Sequence, residues 1–142
     1  MTYAAHMAWR IAPDPAQVQV LIGTLLGRGR LVASAEGVHL ALALDPRHAW
    51  LAEWTYQRLA PLVPAPVRSH ARVVIRSERH PIYGELASLL SSAHLLRSIV
   101  GPEAIRLWAL YLRLDDCERR RVRECRCALL RPPPPRTLAP VS

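Results

Sequence analysis

Four prolines at helix-start positions constrain this chain more than any other feature. Pro15, Pro46, Pro81 and Pro102 each stand where an apolar, helically spaced run begins, and Asp14, Asp45 and His80 precede the first three. A proline is tolerated in the first helical turn because its missing N–H would have no partner there, and an aspartate before it caps the turn. The spacing predicts helices over about 16–26, 45–59, 81–90 and 102–114. Gly27 and Gly29 supply the first stop, and Asp115-Asp116 the last.

Strand patterns fill the intervals. Arg30–Ser34 and Val38–Leu44 read as a hairpin turning near Glu36-Gly37. Val38, Leu40, Leu42 and Leu44 alternate with His39, Ala41 and Ala43, the period of a strand with one buried face. A second hairpin is expected over 67–78, with Val73 and Ile75 facing one way and Arg72, Val74 and Arg76 the other. Residues 91–101 read as a short crossover. Helix, hairpin, helix, hairpin, helix, helix is an α+β order: one antiparallel sheet with helices on one face. Residues 1–13 form an arm and 14–116 the folded domain. Residues 117–142, rich in Arg and Pro and broken by Pro132–Pro135, form a tail that is disordered or translated out of frame.

Composition narrows the partners. The formal charge is +8, and all 19 basic residues are arginine. A GC-rich coding sequence accounts for part of that usage, and a polyanionic partner is the functional reading, since the planar guanidinium suits phosphates and guanine edges. No apolar run is long enough for a membrane span and the N-terminus lacks a signal-peptide layout, so the chain is read as soluble and cytoplasmic. Cys117, Cys125 and Cys127 have no histidine near them to complete a zinc site. His6, His48, His70, His80 and His94 show no paired ligand spacing, and His48 and His80 sit at helix starts where capping or packing explains them. No Ser-His-Asp set, phosphate loop or dinucleotide fingerprint is present. Arg119-Arg120-Arg121 reads as a solvated cluster.

Two segments carry a resemblance: Leu21-Ile22-Gly23-Thr24-Leu25-Leu26-Gly27-Arg28-Gly29 and Ala109-Leu110-Tyr111-Leu112-Arg113-Leu114-Asp115-Asp116. The first resembles the motif that names the LAGLIDADG homing endonucleases, and the second resembles its form ending in two aspartates. The helix after the first hairpin, the strand 73–78 leading to His80-Pro81, and Pro102-Glu103 before the second motif are similar to that family in order and spacing. The similarity spans about residues 15–116. It implies an αββαββα arrangement whose two motif helices pack side by side through Gly23, Gly27, Gly29 and Ala109, and whose sheet forms a saddle on double-stranded DNA. It also implies Mg²⁺-dependent phosphodiester hydrolysis, with Asp116 as catalytic metal ligand and Asp115 beside it. Arg30, His39, Arg68, Arg72 and Arg76 would then face DNA.

The chain departs from the family at two places. Arg28 stands at the acid position of the first motif. A guanidinium about 5 Å from a divalent ion repels it by roughly 6–7 kcal/mol at an effective dielectric near 20. The first reading is a DNA-binding protein of the homing-endonuclease type whose metal-dependent cleavage is impaired by Arg28, with Asp116 as the surviving ligand; the alternative is a non-catalytic DNA-binding regulator or relic with an Arg28–Asp116 ion pair in place of the metal. After the second motif, too little chain remains for a second half. Activity would then need a homodimer, and Trp108, Leu110, Leu112 and Leu114 would lose part of their cover.

Overall fold

A computed structural model of the chain describes residues 12–119; the arm up to residue 11 and the tail from residue 120 lie outside the described residues. Helix α1 (Pro15–Gly27) starts as its sequence predicts. The Asp14 carboxylate accepts from the Gln17 N–H at 2.7 Å, and the Gln17 side chain accepts from the Asp14 N–H at 3.0 Å. This reciprocal box satisfies donors that a helix start leaves open. Strands β1 (Arg30–Ser34) and β2 (Gly37–Leu44) follow, paired from Arg30–Ala41 to Ser34–Gly37. Gly37 holds the turn at φ +136°, a region closed to most side chains.

Asp45 caps a single 3₁₀ turn, Pro46–His48, which leads into α2 (Ala49–Leu59). Strand β3 is only Val67–Arg68, and β4 is Val73–Arg76. Helix α3 (Pro81–Leu90) is capped by the His80 ring, whose Nδ1 accepts from the Ile82 N–H at 3.0 Å. Helices α4 (Ala93–Ile99) and α5 (Pro102–Arg119) complete the described chain. The class is mixed α+β, with five α-helices among the described residues and one antiparallel sheet in the order β1-β2-β4-β3.

Alternation decides which sheet face is covered. Leu40, Leu42, Leu44, Val73 and Ile75 are all buried and join the core with Leu21, Ile22, Leu51, Tyr83 and Tyr111. Their neighbours of opposite parity stay partly or fully exposed. Beyond β4 the chain keeps following β2 by other means. Ser77 N–H donates to the Leu40 carbonyl, and the Ser77 hydroxyl accepts from the Leu40 N–H at 2.8 Å.

Two elements differ from the sequence expectation. Within the expected crossover, residues 93–99 form a helix, α4, that the sequence reading does not assign. The Ser92 hydroxyl caps it by accepting from the Leu95 N–H, but it fully buries none of its residues, so its apolar period was too short to read. Helix α5 runs through Asp115-Asp116 to Arg119. Aspartate is a poor helix former and carboxylates oppose the dipole at a helix end, so the continuation needs a compensating cation, which Arg28 supplies.

Candidate nucleic-acid interface

Helices α1 and α5 run parallel and in register. Gln19 staples their start: its Nε2 donates to the Ile99 carbonyl at 2.9 Å, and its Oε1 accepts from the Gly101 N–H at 2.6 Å. Further along, Gly23 packs against Ala104 and Leu107, and Gly27 against Tyr111. A methyl on Gly27 would lie 2.3 Å from the Tyr111 ring, so the tight approach requires glycine there. Gly29 and Ala109 do not serve this interface as expected. Gly29 closes on Thr24 of its own helix end. Ala109 is exposed, because a helix turns 100° per residue and the inward positions are Ala104, Leu107, Tyr111 and Leu114.

At the C-terminal ends of the two helices lies a charged clasp. Arg28 caps α1 in the αR conformation, a favourable place for a cation. Its Nε and Nη2 donate to the Asp115 carboxylate at 2.8 and 2.5 Å, and Nη2 also donates to Glu118. The expected Arg28–Asp116 pair is therefore made with Asp115 and Glu118 instead. Asp115 and Glu118, one turn apart, follow Tyr111 on the inward side, while Asp116 is exposed. Glu118 lay beyond the expected helix end, yet its spacing of seven from Tyr111 is the signal that places it. Burial pulls the Arg28 guanidinium down, but the hydrogen bonds and charges of Glu118 and Asp115 outweigh it and hold the group above its ordinary value.

His48 backs the clasp. It is fully buried, and its Nδ1 lies 3.4 Å from Glu118 Oε1. Desolvation lowers its pKa below the usual 6.5 despite the Glu118 carboxylate, so at neutral pH this is a contact between a neutral ring and a carboxylate rather than an ion pair. The Tyr111 hydroxyl is pushed up by burial, with the Thr24 and Thr55 hydroxyls acting weakly the other way.

The sheet face opposite the core, which no other element covers among the described residues, gathers part of the arginine set. Register puts Arg30, Ala41 and Arg76 side by side across β1, β2 and β4, with His39 opposite Val32 two residues along on the same face. Arg30 and Arg76 are exposed. Arg72 lies just before β4 with their parity. Arg68 does not join them: it pairs with Val73, a core-facing residue, so the turn at 69–72 reverses its side. The four strands carry no carboxylate and no Phe, Tyr or Trp; Glu36 at the hairpin tip, Asp45 directly after β2 and Glu78 beyond β4 are the nearest acids in sequence.

No group of three or more His, Cys, Asp or Glu side chains suited to a metal ion occurs among the described residues, and no described helix is long and apolar enough to cross a membrane. Comparisons with protein-family models, with curated proteins and with solved structures find no match.

Proposed function

We propose that this chain binds double-stranded DNA on its open sheet face, in a LAGLIDADG-like αββαββα arrangement, and does not cleave it. The charge of that face carries the reading. Arg30 and Arg76 flank the small Ala41, His39 lies beside them, and the strands hold no carboxylate to repel phosphate. Duplex DNA presents about one negative charge per 1.7 Å of axis, so such a face gains counterion-release affinity. Single-stranded nucleic acid is held mainly by stacking on large aromatic side chains, and the four β-strands carry no Phe, Tyr or Trp, which favours a duplex.

The residues at the helix ends do not fit the divalent ion of the family. The site where a carboxylate would be required is filled by the Arg28 guanidinium, already hydrogen-bonded to Asp115 and Glu118. Mg²⁺ needs oxygen ligands with little competing positive charge. No hydrolytic step is assigned to Asp116 or Asp115 on this reading, which makes the protein a non-catalytic regulator or a relic.

Fluorescence anisotropy with a labelled mixed-sequence duplex, titrated at several salt concentrations, tests the reading. Arg30→Ala and Arg76→Ala should each weaken binding and lower the salt slope by about one. Arg68→Ala should do much less, because it sits on the other side of the sheet. Equal losses from all three, or no duplex binding by the native chain, would overturn the proposal.

A further inference from the structure

The open sheet face is basic, yet two of its residues are apolar and exposed. Val32 is 38% exposed and Val67 is 69% exposed. Both lie on the arginine side. Val32 pairs with His39, two residues along both strands from the Arg30–Ala41 pair. Val67 pairs with Val74, which pairs with Ala43. The remaining large exposed apolar residues among those described, Leu95, Ile105, Trp108 and Leu112, are on helices. The two valines thus stand at opposite edges of the sheet, on β1 and β3, with only small or polar side chains between them apart from Val74.

Exposed β-branched residues on a phosphate-binding face add to affinity only where the partner offers apolar surface to bury them. Sugar–phosphate backbone and most base edges offer none. In the major groove one apolar group is presented, the C5-methyl of thymine; the minor groove presents no methyl. Four residues along β2 and three strand spacings separate the valines, roughly 20 Å in all. They would therefore touch different base pairs, and their effects would be independent.

Resting on the duplex-binding reading above, we infer that Val32 and Val67 are specificity-determining residues that read pyrimidine C5-methyl groups in the major groove, while Arg30 and Arg76 hold the duplex. Alanine at 41 and 43 keeps the centre of the face low, so that the edge valines and the arginines reach the groove together.

The experiment uses the full chain and a random-sequence duplex library enriched on it. An enriched duplex is synthesised with thymidine or with deoxyuridine, which differs only by the missing methyl, and affinities are compared by anisotropy. Removing the methyls should weaken binding by up to about fourfold per contacted position, the worth of one buried CH₂. Val32→Ser/Val67→Ser should lose the difference between the two duplexes while keeping the native salt slope, and the melting temperature should hardly move because both side chains are exposed. Equal affinity for both duplexes, or salt-dependent binding without any enrichment of sequence, overturns the inference and leaves duplex binding intact. A difference that survives in the double variant also overturns it, since other residues would then read the methyls. No binding to any duplex removes the inference together with the reading beneath it.

Discussion

Arg28 decides the chemistry of the two helix ends. Its guanidinium bridges Asp115 and Glu118, with a side-chain exposure of 21%. Removing it leaves two carboxylates facing each other in a partly dry site at the wrong end of a helix dipole. Arg28→Ala should cost about 1–3 kcal/mol at neutral pH, read as a shift of the urea midpoint with unchanged slope. The native chain should leave plasmid DNA intact in Mg²⁺ or Mn²⁺; metal-dependent cutting that Asp116→Asn abolishes would refute the non-catalytic reading. His48 adds a pH dependence of definite sign. Its folded pKa lies below 6.5 because burial disfavours the imidazolium. The unfolded chain takes up a proton near 6.5 that the folded chain resists, so stability falls as pH drops through that value toward the folded one. Unfolding measured between neutral pH and about pH 5.5 should show this loss, and His48→Gln should flatten it.

The pairing of α1 with α5 rests on how closely two helices can approach. Gly27 admits the Tyr111 ring, which is completely buried. Gly27→Ala would press a methyl into ring atoms near the Cβ, where the side chain has little freedom to yield. Its expected cost is about 1–3 kcal/mol or more, the range of overpacked cores. Gly84 is the contrasting case. It lies within α3, and a Cβ there meets nothing within 4 Å. Gly84→Ala should therefore stabilise by about 0.4–1 kcal/mol through the lost freedom of the unfolded chain. Guanidinium unfolding of the two variants side by side separates close packing from helix propensity. If both stabilise, the tight contact between α1 and α5 is wrong.

For the molecule as a whole, charge and apolar surface pull in opposite directions. A formal charge of +8 favours separation of copies. Against this, α5 exposes Ile105 at 51%, Trp108 at 39% and Leu112 at 53%, spaced three and four residues apart along its outer side. Leu110 and Leu114, expected to share that exposure, are buried in the core. A contiguous apolar stripe on a long helix promotes association. Sedimentation velocity should show the native chain growing heavier with concentration, most clearly at high salt where repulsion is screened. Trp108→Ser/Leu112→Ser should remain monomeric with little change in melting temperature, since neither side chain is in the core. A native chain that stays monomeric at all concentrations would exclude the homodimer.

Local rules were enough to read much of the architecture. Asp14 before Pro15, Asp45 before Pro46 and His80 before Pro81 start helices by capping and by a missing N–H, which depend only on neighbours in sequence. The alternation from Val38 to Leu44 named the buried face of β2 for the same reason: successive side chains on a strand must point to opposite sides. Tertiary structure decided what neighbours could not. Arg68 left the arginine face because a four-residue turn reversed it against Val73. Helix α4 exists through one serine cap and a few partial contacts, too little for a sequence period. The partner of Arg28 became Asp115 with Glu118 because the rotation of α5 about its axis is set by the packing of Ala104, Leu107 and Tyr111 against α1, with Leu114 buried in the core. A turn of 100° per residue separates Asp115 from Asp116, and only the buried side of the helix determines which of them faces the arginine.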